Sequence, residues 1–216
     1  MGASYCWFPA RGKDWALFDV ALCGIPFGVA ESEGRSSQQL GANIKETNMT
    51  TSSPREIPFR GVRLRFDSKR RFDQVLAALL ADVGAKPLAL NDIAAKFDSW
   101  ESYKKEIESH VGPCGFILFA IIDHGSWIKK VGILKKVSRL VIGNPLLAIT
   151  MIRHDVTAGL FAPVELLLVE EDDDQSSLIY VKPSSLMVVE TNDALLAAAK
   201  ELDAKFQALA AKVTMA

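Results

Sequence analysis

The sequence predicts an α+β domain over residues 57–216: a mostly antiparallel sheet covered by helices on one face, in the order β-α-(α insert)-β-β-α-β-β-α. Three observations predict it. From residue 57, short runs with strand periodicity alternate with runs of helical periodicity. The later strands follow one another through links of hairpin length or through one short helix, which makes them antiparallel neighbours. The chain then closes on a long segment with apolar residues at 4-3-4-3-4 spacing, an amphipathic face that needs a sheet to bury against.

Each element has its own signal. Val62, Leu64 and Phe66 alternate with Arg63 and Arg65, giving a strand with one buried face. Phe72, Val75, Leu76, Leu79, Leu80 and Val83 then recur at helical spacing, with Ser68 as the N-cap and Gly84 as the stop. Residues 87–111 hold two shorter helices. The second is opened by a capping box of Asp98 and Glu101, carries Trp100, Tyr103, Ile107 and Val111 on one face, and ends at Gly112-Pro113. The continuous apolar run 116–122 reads as a strand buried on both faces, ending in Asp123-His124-Gly125. A second run, 140–142, ends in Gly143-Asn144-Pro145, where Asn144 as N-cap and Pro145 at the first helical position open a helix through about His154. Strands over 164–171 and 178–182 follow, joined by the acidic turn 172–176. Asn192 then caps the last helix, with Leu195, Ala199, Leu202, Phe206, Leu209 and Val213 on its apolar face.

Composition narrows the function classes. With 216 residues, 49% of them apolar, and 25 Lys+Arg against 26 Asp+Glu, the chain is too apolar for disorder and too charged for a membrane bundle. A net charge of −1 speaks against a nucleic-acid partner. Cys6, Cys23 and Cys114 are odd in number and lack zinc-type spacing, so neither a disulfide framework nor a metal site is expected, and a reducing, cytoplasmic location is. Residues 1–56 read differently from the rest. Asp19 and Pro26 interrupt the apolar stretch 15–30, which is also too short to span a bilayer; Gly2 is followed by Cys6 where a myristoylation motif wants Ser or Thr; and 31–56 has linker composition around Met49. We expect a poorly ordered extension there, or a mis-assigned start with Met49 as the natural one.

Four pieces in order, Ile122-Asp123-His124, Gly143-Asn144-Pro145, the segment 163–171 and Tyr180-Val181-Lys182-Pro183, resemble the family known as domain of unknown function 302 (DUF302) over roughly residues 60–213. The resemblance implies a fold grouped with the TATA-box-binding-protein-like arrangements, in small proteins that can pair as dimers. It implies no established activity. The link 85–113 is longer than the family's usual one, and 127–139 is more basic and helical.

Asp123 and His124 sit where a buried strand emerges, and adjacent strand residues point to opposite faces, so direct pairing needs a turn. His124 is a candidate ligand-binding residue on the family's motif. Asn144 opens a helix whose first N–H groups suit an anion, and His154 closes that helix. Together Asp123, His124, Asn144 and His154 are the expected edge of an apolar pocket between sheet and helices, binding a small apolar or anionic ligand. The three histidines His110, His124 and His154 lack metal-ligand spacing, and no phosphate loop, dinucleotide fingerprint or nucleophile motif occurs, so no metal or cofactor is expected and catalysis stays open.

An alternative reading makes the domain a non-catalytic interaction module. Six cations and no acid lie between residues 125 and 153, and Trp127, Ile128, Val131 and Leu134 fall at helical spacing among them. Lys129, Lys130, Lys135, Lys136 and Arg139 would then flank an apolar stripe able to lie on an anionic membrane surface. Six acids and no base lie between 164 and 174, so two opposite poles are also available to face each other across a homodimer.

Overall fold

Period-two alternation in the strands sorts their side chains onto two sheet faces of different character. A computed structural model of the 216-residue chain describes residues 5–8, 16–19 and 53–215. The chain divides into two units, Met1–Ser53 and Pro54–Ala216. In the first, β1 (Tyr5–Phe8) and β2 (Ala16–Asp19) pair antiparallel. Gly2, Cys23, Pro26 and the linker-like stretch around Met49 lie outside the described residues.

The second unit contains β3 (Arg63–Ser68), β4 (Ile117–Asp123), β5 (Val137–Gly143), β6 (Val164–Glu170) and β7 (Ser176–Val181). They form one sheet in the order β3-β7-β6-β5-β4, antiparallel at every pairing. The helices are α1 (Phe72–Val83), α2 (Leu90–Lys96), α3 (Trp100–His110), α4 (Gly125–Ile128), α5 (Pro145–Ile152), α6 (Pro183–Met187) and α7 (Asp193–Thr214). Short 3-10 segments occupy Lys129–Val131 and Val156–Phe161. The architecture is therefore the mixed α+β arrangement that the alternating periodicities predict.

The core lies between one sheet face and the helices α1 and α7. Leu118, Leu140, Ile142, Leu166, Leu168, Leu178 and Tyr180 meet Val75, Leu79 and Val83 of α1 and the whole apolar stripe of α7. Phe206 stands at its centre, 4.3 Å from the Phe116 ring and 5.7 Å from that of Tyr180 between centroids. Every stripe residue of α7 from Leu195 to Val213 is buried, as its spacing demands. A smaller cluster of Ile93, Ile107 and Ile117 holds α2 and α3 against β4. On the other face, Val137, Arg139 and Val141 of β5, Leu167 and Val169 of β6, and Ile179 and Val181 of β7 are only half-buried, in contrast to their fully buried neighbours.

Four local expectations are corrected. Ser68 does not cap α1: it is the last residue of β3, paired with Ser176, and its hydroxyl donates to the Thr214 carbonyl at 2.6 Å, so the helix starts only after Arg71. The cap of α3 is Ser99 rather than Asp98; its hydroxyl accepts from the Ser102 N–H at 3.2 Å. The apolar run of β4 is not buried on both faces throughout, because β4 is the sheet's edge strand: Ile121 and Ile122 are exposed at its outer end, past an irregularity between Leu118 and Ala120. Finally, 127–139 is not one amphipathic helix. The helical turns stop at Gly132, whose φ of +87° is left-handed, and β5 begins at Val137.

Candidate functional site

The half-buried sheet face becomes concave at one end. There Leu167, Ile179 and Val181 form an apolar floor, and the 3-10 turn Val156–Phe161 and α6 supply walls through Leu160, Phe161 and Leu186. The groove has a volume of about 580 Å³. The walls are pinned from below. Ser184 N–H donates to Asp203 Oδ1 at 3.0 Å, which ties the start of α6 to α7, and Val62 N–H donates to Ser185 Oγ at 2.8 Å, which ties α6 to the entrance of β3. Two guanidinium groups border the groove. Arg139 is engaged by Glu165 across the β5–β6 pair, whereas Arg63 makes no ion pair among the described residues. Tyr180 also lines the groove, but its hydroxyl is buried without a hydrogen-bond partner, and burial, helped by the Asp203 carboxylate, pushes it up to about 12.

The four expected ligand residues do not meet. Asp123 pairs in register with Ser138 and Ile117 with Gly143, so His124 and Asn144 leave the sheet at opposite ends, separated by about 17 Å of strand at ~3.4 Å per residue. Asp123 and His124 do not bond to each other either. The Asp123 carboxylate accepts the Ser126 N–H at 3.2 Å, and His124 Nδ1 accepts the Trp127 indole N–H at 3.3 Å, so both stabilise the α4 turn. His154 is exposed at the far end of α5 from Asn144, and its carbonyl accepts from Asn192 Nδ2 at 3.4 Å. Antiparallel pairing and the length of α5 thus disperse the set. Of the four, Asn144 borders a cavity of about 280 Å³, shared with Trp100, Tyr103, Phe119 and Phe206. Its amide is already committed: Oδ1 accepts from Leu146 N–H at 2.8 Å and Nδ2 donates to the Gly115 carbonyl at 3.0 Å.

The two charge poles meet within one chain. Register places Lys136 beside Glu170 and Arg139 near Glu165. Lys136 Nζ reaches Asp73 at 2.7 Å and Glu170 at 3.7 Å, Lys135 reaches Asp172 at 2.6 Å, and Arg139 holds Glu165. Of the five cations assigned to an interaction surface, Lys129 and Lys130 alone are left without an ion pair among the described residues.

A second constellation escaped sequence reasoning. Asp82, 2% exposed, accepts three donors: the Cys114 N–H at 2.9 Å, the Cys114 thiol at 3.2 Å and the Lys212 ammonium. Lys212 Nζ also stands 3.8 Å from Cys114 Sγ. Gly112 permits this approach, since a Cβ there would fall 1.5 Å from the Asp82 carbonyl oxygen. Burial pushes the Asp82 carboxyl up, but the hydrogen bonds from Lys212 and Cys114 outweigh it and hold the group below the ordinary carboxylate range. Burial and then Asp82 push the Cys114 thiol up, against the smaller opposing pull of Lys212. The one signal in the sequence is Asp82 itself, a carboxylate three residues after Leu79 on the buried stripe of α1.

Among the described residues no three His, Cys, Asp or Glu side chains are grouped to hold a metal ion, and no helix is long and apolar enough to cross a membrane. Residues 92–213 match the family described as Domain of unknown function DUF302. The chain belongs to the DUF302 family. That match takes in β4 to β7 and both Cys114 and Lys212, while Arg63 and Asp82 precede it. Among solved structures, this DUF302 chain is similar to the crystal structure of an uncharacterized conserved DUF302 protein from Bacillus stearothermophilus, with 16% identity, a TM-score of 0.49, and coverage of 70% of this chain and 97% of that one. No curated protein matches it.

Proposed function

We propose that this DUF302 protein binds a small amphiphilic anion, an apolar body bearing a carboxylate or similar group, in the groove over the open sheet face. The observation that carries the reading is the pairing of an apolar floor, Leu167, Ile179 and Val181, with Arg63, a guanidinium without an ion-pair partner among the described residues at the same groove. Its volume lies in the ordinary range for small-molecule sites, and a few fixed polar groups over an apolar surface are what such sites need. The smaller cavity beside Asn144 is a poorer host, because the Asn144 amide is spent on capping α5 and on Gly115. Octanoate is expected to raise the melting temperature more than octanol does, and Arg63→Gln to weaken octanoate binding about tenfold, equivalent to ~1.4 kcal/mol, while leaving octanol unchanged. Equal effects of acid and alcohol, or none, would remove the anion from the proposal. A second copy laid on the same face would cover the groove, so sedimentation velocity with and without octanoate separates ligand binding from self-association.

One observation favours the interaction reading as well. Trp127, Val131, Ile133 and Leu134 are 54%, 73%, 50% and 82% exposed on one short protrusion that also carries Lys129 and Lys130 and no acid. An aromatic and three aliphatic side chains beside two lysines that form no ion pair among the described residues suit the interface of an anionic bilayer.

A further inference from the structure

The Asp82 carboxylate holds a thiol and an amine of distant chain segments against each other. Cys114 lies in the turn between α3 and β4, Lys212 in the last turn of α7, and both bond to the same oxygen, Asp82 Oδ2. The sulfur and nitrogen are 3.8 Å apart. Cys114 is partly buried and the Lys212 side chain is 55% exposed, so the cluster lies at the edge of the core and not in its centre. Lys212 carries its ammonium on a flexible four-carbon stem. The cluster lies apart from the groove, whose lining includes none of its three members.

We propose that Cys114 and Lys212 form a reversible covalent link when a hydroperoxide oxidises the thiol, with Asp82 relaying the protons. In the first step the Cys114 sulfur attacks one peroxide oxygen. The S–O bond forms, the O–O bond breaks, and the thiol proton passes through Asp82 to the departing hydroxide, leaving a sulfenic acid and water. In the second, Lys212 Nζ, having lost a proton to solvent through Asp82, attacks the same sulfur. The S–N bond forms, the S–O bond breaks, and hydroxide leaves with the second amine proton as water. The sum is thiol plus ammonium plus hydrogen peroxide giving sulfenamide, two waters and a proton. Two equivalents of an external thiol reverse it, yielding the free thiol, the free amine and a disulfide of the reductant. The link would bind α7 to the turn that precedes β4.

The experiment treats the full chain carrying Cys6→Ser and Cys23→Ser with hydrogen peroxide and follows intact mass and tryptic peptides. The expected product is lighter by two hydrogens, yields a peptide joining Cys114 to Lys212, resists trypsin after Lys212, and reverts with dithiothreitol. In Lys212→Arg, which retains a cation for Asp82, the link is lost and Cys114 instead gains oxygen. Oxygen gain at Cys114 with Lys212 still cleaved by trypsin, at the same rate in both proteins, overturns the proposal. So does a Cys114 that stays unmodified under peroxide.

Discussion

Asp82 shows how a single side chain sets the local energetics. A carboxylate at 2% exposure is tolerated only because its oxygens receive the Cys114 N–H, the Cys114 thiol and the Lys212 ammonium. Asp82→Ala leaves the Cys114 N–H without its partner and should cost about 1–3 kcal/mol in urea unfolding. Its folded pKa is depressed below the usual 3.8, so its contribution is fully present above that value and is lost as pH falls through the folded one. The stability gap between wild type and Asp82→Ala should therefore stay constant from neutral pH down to the usual carboxylate range and close only below it; a gap that closes near neutrality would contradict the assignment. The sequence reading did not single out Asp82 on the buried stripe of α1, because its partners lie 32 and 130 residues along the chain and no local pattern connects them. Asn144 is the converse case. Its capping role was readable from Gly-Asn-Pro, yet its second bond, to Gly115, was not. Because both bonds vanish, Asn144→Ala should destabilise by more than the ~1 kcal/mol of a lost cap, measurable as a drop in unfolding free energy.

At the scale of elements, strong periodicities translated directly into structure and ambiguous ones were settled by tertiary pairing. The stripe of α7 and the caps Asn144 and Asn192 stand as their residue patterns predict, since capping and amphipathic spacing are local. Ser68 was drawn into β3 by its pairing with Ser176, and the apolar run of β4 could not reveal that it forms a sheet edge, because position in a sheet depends on strands far along the chain. The basic segment illustrates the same limit. Counting charges joined Lys135, Lys136 and Arg139 to Lys129 and Lys130, but the fold hands the first three to Asp172, Asp73 and Glu165 of the same chain. The membrane reading consequently rests on the protrusion alone. Co-sedimentation with phosphatidylglycerol vesicles should fall several-fold in Lys129→Gln/Lys130→Gln and again in Trp127→Ser/Leu134→Ser, with little binding to phosphatidylcholine. Binding insensitive to both pairs of changes would remove the protrusion from any membrane role.

Considered whole, the second unit is a sheet with one face closed by α1 and α7 and the other left half-buried, and this asymmetry is what offers a site. The alternation that buries Leu166, Leu168, Leu178 and Tyr180 necessarily turns Leu167, Ile179 and Val181 outward. Sequence reasoning supplied the α+β order and the family, but it located the ligand residues by motif, and the antiparallel pairing of β4 with β5 separates His124 from Asn144. Arg63 was read only as the polar half of an alternating strand, since its place at the groove follows from β3 pairing with β7 at the far end of the chain. The most direct test of the groove is a map of isotope-edited nuclear Overhauser contacts from octanoate to methyl-labelled protein. Contacts to Leu167, Ile179 and Val181, lost in Arg63→Gln at the same ligand concentration, are the predicted result; contacts to Leu147 and Ile149 of the smaller cavity, or to none of these methyl groups, would contradict it.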